Sequence, residues 1–140
     1  MSADRMRVLF VCVENSCRSQ IAEAFARMLF ADRLDAHSAG SRASGQVNPR
    51  AIASMHELGY DLSRHTSKSL REVPQIEWDL AITMGCGDEC PNVRAKQRID
   101  WQIPDPKQMG AREFAAVRDA IRENVARLCD GLARARLDPK

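Results

Sequence analysis

Aromatic residues make up 5% of this 140-residue chain, and tyrosine occurs once, as Tyr60. A recognition surface built on clustered aromatic rings is therefore poorly supplied. Long apolar runs are also missing. The longest is the six residues Val8–Val13, against about 20 for a membrane span and about 7–15 for the core of a secretory leader. A cytoplasmic protein with no membrane partner is expected. Charge of one sign is not in excess: 21 lysines and arginines face 19 aspartates and glutamates, a net charge of +2. That balance leaves no electrostatic footprint for nucleic acid. Five cysteines, an odd number, argue against a secreted disulfide framework. In a reducing compartment, closely spaced thiols point instead to catalysis, redox chemistry or metal binding.

What the chain has is alternation. Residues 6–12 form a short apolar run without helical period, which suits a buried parallel strand. Ile21, Phe25, Met28 and Leu29 recur at helical spacing over 18–33. Residues 34–39 read as a second strand ended by Gly40, and 40–47 as a loop. Asn48 then caps a helix with Pro49 at its first position, and Gly59 follows its end. A short helix over 67–73, a buried strand over 78–84 and a weakly marked strand over 95–100 come next. Phe114, Val117, Ile121, Val125 and Leu128 mark a long closing helix over 111–134. This order predicts a single α/β domain over 1–140: a four-stranded parallel sheet with helices on both faces. Ligands of such folds sit at the carboxyl ends of the strands. Cys12, Cys86 and the 101–106 loop all follow predicted strands.

Residues 12–19 read Cys-Val-Glu-Asn-Ser-Cys-Arg-Ser. The spacing alone carries little weight: five cysteines and 17 arginines would place about 0.6 such pairs by chance. Its position, between a buried strand and an amphipathic helix, carries more. There the backbone N–H groups of Cys12, Val13, Glu14, Asn15, Ser16, Cys17 and Arg18 can wrap a tetrahedral oxyanion. Arg18 can add a two-pronged clamp. The same positive surroundings favour a thiolate on Cys12, and Ser19 can donate a hydrogen bond to it. Asn15 tolerates left-handed backbone geometry. The plainer reading is a buried strand-end cysteine beside a solvated arginine.

These residues, with Gln20-Ile21-Ala22-Glu23 after them, resemble the low-molecular-weight protein tyrosine phosphatases. The Asn15-Ser16-Cys17-Arg18-Ser19-Gln20 form resembles the arsenate reductases of that fold, which use thiol relays. The likeness continues through Ser38-Ala39-Gly40, Val47-Asn48-Pro49, His65-Thr66-Ser67, Asp79 to Met84, Cys90-Pro91 and Pro104-Asp105-Pro106. It covers nearly the whole chain.

The resemblance implies an enzyme of arsenical resistance that converts arsenate to arsenite, with phosphate or sulfate as competing oxyanions. It implies Cys12 as nucleophile and Cys86 and Cys90 as redox cysteines that carry a disulfide away from it. No tightly bound cofactor is implied, but an external thiol reductant is required: thioredoxin, a glutaredoxin system or a small thiol. Only three residues separate Cys86 from Cys90, fewer than in the best-known thioredoxin-linked pattern, which leaves the relay order and the donor open. Cys86 and Cys90 resemble half of a zinc site, but the only other candidate ligands are Cys12, Cys17 and three scattered histidines, and tying up Cys12 would destroy the anion loop, so no metal is expected there. Asn15, Glu23 and Ser38 resemble a monovalent-cation site of some reductases of this family. Asp105, between two prolines, is implied as the general acid; read by itself it is also a favoured turn residue.

The other reaction the fold implies is phosphate-ester hydrolysis through phospho-Cys12, which needs Cys12, Arg18 and Asp105 but neither Cys86 nor Cys90. The related phosphatases follow Asp-Pro with tyrosines, whereas here Lys107, Gln108 and Met109 follow. A small inorganic oxyanion is the better fit. Cys17 and Cys129 read as packing residues. His37, His56 and His65 lie apart in the sequence.

Overall fold

A computed structural model of the chain describes residues 5–85 and 93–137, with side chains as far as 131. Strands β1 (Met6–Cys12), β2 (Leu34–Gly40), β3 (Trp78–Thr83) and β4 (Ala95–Asp100) form one sheet in the order β2-β1-β3-β4. Every neighbouring pair is parallel. Helix α1 (Arg18–Phe30) joins β1 to β2, α2 (Pro49–His56) follows β2, and α3 (Ala111–Leu137) closes the chain. Among the described residues no helix is long and apolar enough to cross a membrane.

The central strands show why β1 reads as an unbroken apolar run. Val8, Leu9, Phe10 and Val11 are each fully buried, because side chains leaving a strand alternately meet a covered face on either side. The two faces are covered unequally. Val8, Phe10, Leu80 and Ile82 meet the apolar sides of the three α-helices in one large core. Leu9, Val11 and Trp78 form a smaller cluster. It is roofed by the 3-10 turn Leu70–Glu72 and by Val73, Ile76 and Val93. The segment expected as a short helix over 67–73 is thus a single 3-10 turn, held by a capping box between Ser69 and Glu72.

Helix boundaries follow the local chemistry. Asn48 accepts the Arg50 N–H on its side chain at 2.8 Å, with Pro49 at the first helical position. Gly59 sits at φ +83° beyond the end of α2. On α3, Phe114, Val117, Ile121, Val125 and Cys129 are buried. Cys129 takes the last core place, with Leu128 only half-buried beside it.

The strand order reverses between β1 and β3. That reversal leaves a crevice beyond their carboxyl ends, where the chains leaving β1 and β3 depart in different directions. Cys12 pairs in register with Gly40 at this edge. The loop after Cys12 folds back onto that glycine. A Cβ at Gly40 would lie 2.5 Å from the Val13 carbonyl oxygen and 2.9 Å from the Asn15 nitrogen. Backbone cannot yield as a flexible side chain can. Gly40→Ala is therefore expected to cost about 1–3 kcal/mol of stability and to weaken inorganic phosphate binding at least tenfold. Urea unfolding and calorimetric phosphate titration of the variant check both.

Candidate active site

The loop between Cys12 and Arg18 is held by its carbonyls. Val13 O accepts from Arg42 N at 2.8 Å, and Glu14 O from Ser44 N at 3.0 Å. Glu14 O also accepts from Ser67 Oγ, at 3.0 Å. Asn15 O accepts from Gln20 Nε2 at 3.1 Å, and Ser16 O from Asn48 N at 2.8 Å. Four successive carbonyls therefore face outward into the protein. In a trans peptide the N–H points opposite the carbonyl it follows, and no cis bond occurs among the described residues. The amides of residues 14–17 consequently face the hollow. Asn15 makes this reversal at φ +50°, the one positive φ of a non-glycine residue among those described, as its residue type predicts.

Helix α1 begins at the same point. Its first turn has neither a side-chain cap nor an acidic residue, so the unpaired N–H groups and the positive end of the helix dipole remain available to an anion. Arg18 Nη1 donates to the Met84 carbonyl at 2.7 Å and to the Ile103 carbonyl at 2.8 Å. Those two bonds pin the guanidinium between the ends of the β3 and β4 connections. Its Nε–H and Nη2 edge makes no hydrogen bond among the described residues and is left for a two-pronged grip on an oxyanion.

The nucleophile candidate sits at the base of this hollow. Cys12 Sγ lies 2.8 Å from Ser19 Oγ, and Asn15 Nδ2 lies 2.8 Å from the same oxygen. The amide of Asn15 is oriented by Lys68 N, which can only donate, to Asn15 Oδ1 at 2.8 Å. Nδ2 must then donate to Ser19, whose own hydroxyl proton is free to point at the Cys12 sulfur. Behind these residues Gln20 bonds Asn15 Oδ1 at 3.0 Å and Thr66 O at 2.9 Å. Gln20 Oε1 lies 2.9 Å from His65 Nδ1, and His65 Nε2 lies 2.6 Å from Tyr60 Oη. Because the glutamine oxygen only accepts, Nδ1 carries the proton and Tyr60 donates to Nε2.

The second thiol of the loop is different. Burial pushes Cys17 up to about 12, with the nearby Asp105 and Cys12 adding to the shift. Cys17 is thus an inert thiol at neutral pH, in keeping with a packing role. Burial likewise pushes Cys129 up to about 11.

A cavity of about 600 Å³ opens over the loop. Cys12, Arg18, Gly85, Ile103, Asp105 and Lys107 are among its lining, and among the described residues no aromatic side chain is. Asp105 is exposed on the far wall, and its carboxylate accepts from Lys107 N at 3.1 Å, starting the 3-10 turn Pro106–Gln108. Lys107 Nζ forms an ion pair with Glu14 across the mouth, which draws Glu14 down and holds Lys107 up. Cys12, the anion loop, Arg18, Ser19 and Asp105 therefore converge on one hollow. Cys86 and Cys90 lie outside the described residues. Gly85, the residue before Cys86, lines the cavity at φ +81°.

Glu23 and Ser38 also meet, with Ser38 Oγ donating to Glu23 at 2.5 Å. Arg27 lies 2.8 Å and Lys68 3.6 Å from the same carboxylate. Two cations already neutralise this group, and the Asn15 Oδ1 oxygen is taken by Lys68 N and Gln20. The donor set does not fit a free monovalent cation. Among the described residues no cluster of three or more histidine, cysteine or carboxylate side chains could hold a metal.

Residues 7–138 match the family model described as low molecular weight phosphotyrosine protein phosphatase. The chain belongs to that family. Within it, the chain is 40% identical over 125 residues to the glutaredoxin arsenate reductase of Synechocystis, covering 87% of this chain and 95% of that protein. It is 38% identical over 119 residues to arsenate reductase 1 of Staphylococcus epidermidis, covering 82% and 89%. Among solved structures, one of an arsenate reductase in the phosphate binding state superposes with a TM-score of 0.78 at 37% identity, covering 88% and 95%. A thioredoxin-dependent arsenate reductase of Corynebacterium glutamicum superposes at 0.76 with 27% identity, covering 96% of this chain and 65% of that one.

Gln20 and His65 belong to the segments that carry the family likeness, but the sequence assigns neither a role in the site, and it gives Tyr60 none. The contacts of Gln20 with Thr66 and His65 join segments far apart in the chain, and Tyr60 joins them through His65. His65 has a consequence for stability. Its burial disfavours the charged ring and outweighs the pull of Glu23, while Arg27 and Lys68 add to the depression. The unfolded chain, with histidine near 6.5, then binds the proton more readily. Stability is accordingly expected to fall as pH drops through about 6.5 toward the lowered folded value. His65→Gln should flatten the dependence of thermal midpoint on pH between about 7.5 and 5.5, which a scanning-calorimetry series reads.

Proposed function

We propose that this chain is a cytoplasmic arsenate reductase, with residues 1–140 acting as one catalytic domain. The observation that carries the reading is the outward-carbonyl loop, with Cys12 at its base and the open edge of Arg18 beside it. This is a hollow for a small tetrahedral oxyanion. Relatives named arsenate reductase over most of their length support arsenate as that oxyanion, and a neighbour described in a phosphate binding state supports phosphate as its competitor. The lack of aromatic rings among the described lining residues favours an inorganic ion over an aryl phosphate, and so favours reduction over the ester hydrolysis that gives the family its name.

In the proposed reaction the inward amides and Arg18 bind arsenate and neutralise its charge. The Ser19 hydroxyl donates to the Cys12 sulfur, which must lose its proton before it can attack arsenic. Cys12 attacks, an As–O bond breaks, and Asp105 supplies the proton with which that oxygen leaves as water. The result is a covalent thiol–arsenic(V) adduct. Cys86 then attacks the Cys12 sulfur. The S–As bond breaks with its electron pair on arsenic, arsenic(III) leaves as arsenite, and a Cys12–Cys86 disulfide remains. Cys90 attacks Cys86, the disulfide moves to Cys86–Cys90, and Cys12 departs as thiolate. No tightly bound cofactor takes part. A protein dithiol such as thioredoxin, or a glutaredoxin or small-thiol system, reduces the final disulfide. The relatives described above include a glutaredoxin arsenate reductase and a thioredoxin-dependent one.

A thiol map tests the relay. Fully reduced protein is mixed with arsenate alone, alkylated, digested and read by mass spectrometry. Arsenite release with a Cys86–Cys90 disulfide and free Cys12 is the expected result. Five alkylated thiols and no arsenite would favour phosphatase chemistry instead. Cys86→Ser is expected to retain arsenate binding and to lose at least 100-fold in turnover with a protein dithiol. Full turnover in that variant would sink the relay.

A further inference from the structure

We infer that Arg50 is a positioning residue for Asp105, through a clamp by which the first turn of α2 sets the distance between the nucleophile loop and the acid loop. The inference rests on the proposed role of Asp105 as general acid and deepens it.

The acid loop gains little rigidity from its own elements. Asp105 is exposed and starts only a three-residue 3-10 turn. The loop is instead held from outside: Arg18 takes the Ile103 carbonyl before Asp105, and the turn after Asp105 is held by a second guanidinium, that of Arg50. Arg50 Nη1 donates to the carbonyls of Lys107 at 2.9 Å and Pro106 at 3.4 Å, and Nη2 donates to that of Met109 at 2.5 Å. Its charge centre sits 4.8 Å over the Phe114 ring, at the start of α3. A planar fork with fixed donor directions can span three carbonyls of one turn, and a lysine cannot. Charged donors also make the stronger hydrogen bonds.

The other end of the clamp is the anion loop. Asn48, two residues before Arg50, donates its N–H to Ser16 O at 2.8 Å and caps α2 on its side chain. Residues 48–50 thus touch the loop that holds Cys12 on one side and the loop that holds Asp105 on the other. One helical turn is stiff over this length, so it acts as a ruler across the cavity. Two other ties join the loops among the bonds described: Arg18 holds the Ile103 carbonyl, two residues before Asp105, at 2.8 Å, and Lys107, two residues after it, forms an ion pair with Glu14. The Glu14 and Lys107 side chains are 42% and 40% exposed, where water and salt weaken such pairs. Arg50 itself does not line the cavity over Cys12, which makes it a positioning residue and not a catalytic one.

The test is a double-mutant cycle on the full-length, fully reduced protein. It reads the second-order rate constant of arsenite release at subsaturating arsenate, with inorganic phosphate affinity and thermal midpoint measured alongside. Arg50→Ala is expected to slow release about 10- to 100-fold, since small misplacement of a reacting group has effects of that order. Phosphate affinity should stay within about twofold. Arg50→Lys should recover only part of the loss, and it keeps the positive charge should Arg50→Ala fold poorly. In an Asp105→Asn background, Arg50→Ala should cost less than about twofold, because nothing remains to be positioned. An equal loss in both backgrounds, or a loss that tracks weakened phosphate binding, overturns the inference and leaves the acid role of Asp105 standing. An unimpaired Asp105→Asn overturns the acid role, and the inference with it.

Discussion

The outward turn of four successive carbonyls, from Val13 to Ser16, is the constraint on which the rest of the site depends. Each is paid out to a donor from a different part of the fold: the segment after β2, the Ser67 hydroxyl, the Gln20 amide and the start of α2. Backbone polar groups at this depth must be paired, so the surrounding donors dictate which way each peptide plane faces. The amides are left pointing into the hollow. They are ready for an anion before one arrives, and no reorganisation is needed at the moment of binding.

Asn15 is the pivot of this arrangement. It takes the one strained backbone conformation in the loop, and its side chain joins Ser19, Gln20 and Lys68 N. With 0% exposure, its amide has no water to fall back on, so the orientation it imposes on Ser19 is firm. Gly40 serves the same end from below, where any side chain would strike the loop backbone. The wall behind the nucleophile is therefore backbone and buried amide, which yields little. The far wall, carrying exposed Asp105, is held by side-chain clamps.

Charge is divided just as unevenly. Arg18 spends one nitrogen on the Met84 and Ile103 carbonyls and keeps the other edge for the ligand. Glu23, buried at 3% exposure, is answered by Arg27, Lys68 and the Ser38 hydroxyl, as a buried carboxylate must be. Two thiols five residues apart are separated by environment: Cys12 faces a hydroxyl donor, while burial holds Cys17 protonated.

The sheet, its parallel order and the nucleophile loop were legible from local pattern. Apolar runs, helical spacing and the asparagine–proline cap are properties of neighbouring residues, and so are the Cys12 to Ser19 spacing and the left-handed tolerance of Asn15. The short helix expected over 67–73 is a 3-10 turn of three residues: the Ser69–Glu72 capping box starts it, and Val73, ahead of Pro74, is already extended. Although His65 lies in a segment that carries the family likeness, the parts that His65, Tyr60 and Arg50 play in the site were not legible. Their partners are 45, 5 and 56 to 59 residues away, respectively, and each bond depends on how separate segments pack. The sequence by itself determined which groups are available and in what local geometry each begins. Only the tertiary structure decided which of them share a hydrogen bond, because bond direction and burial are set by the contacts between segments, which no run of neighbouring residues contains.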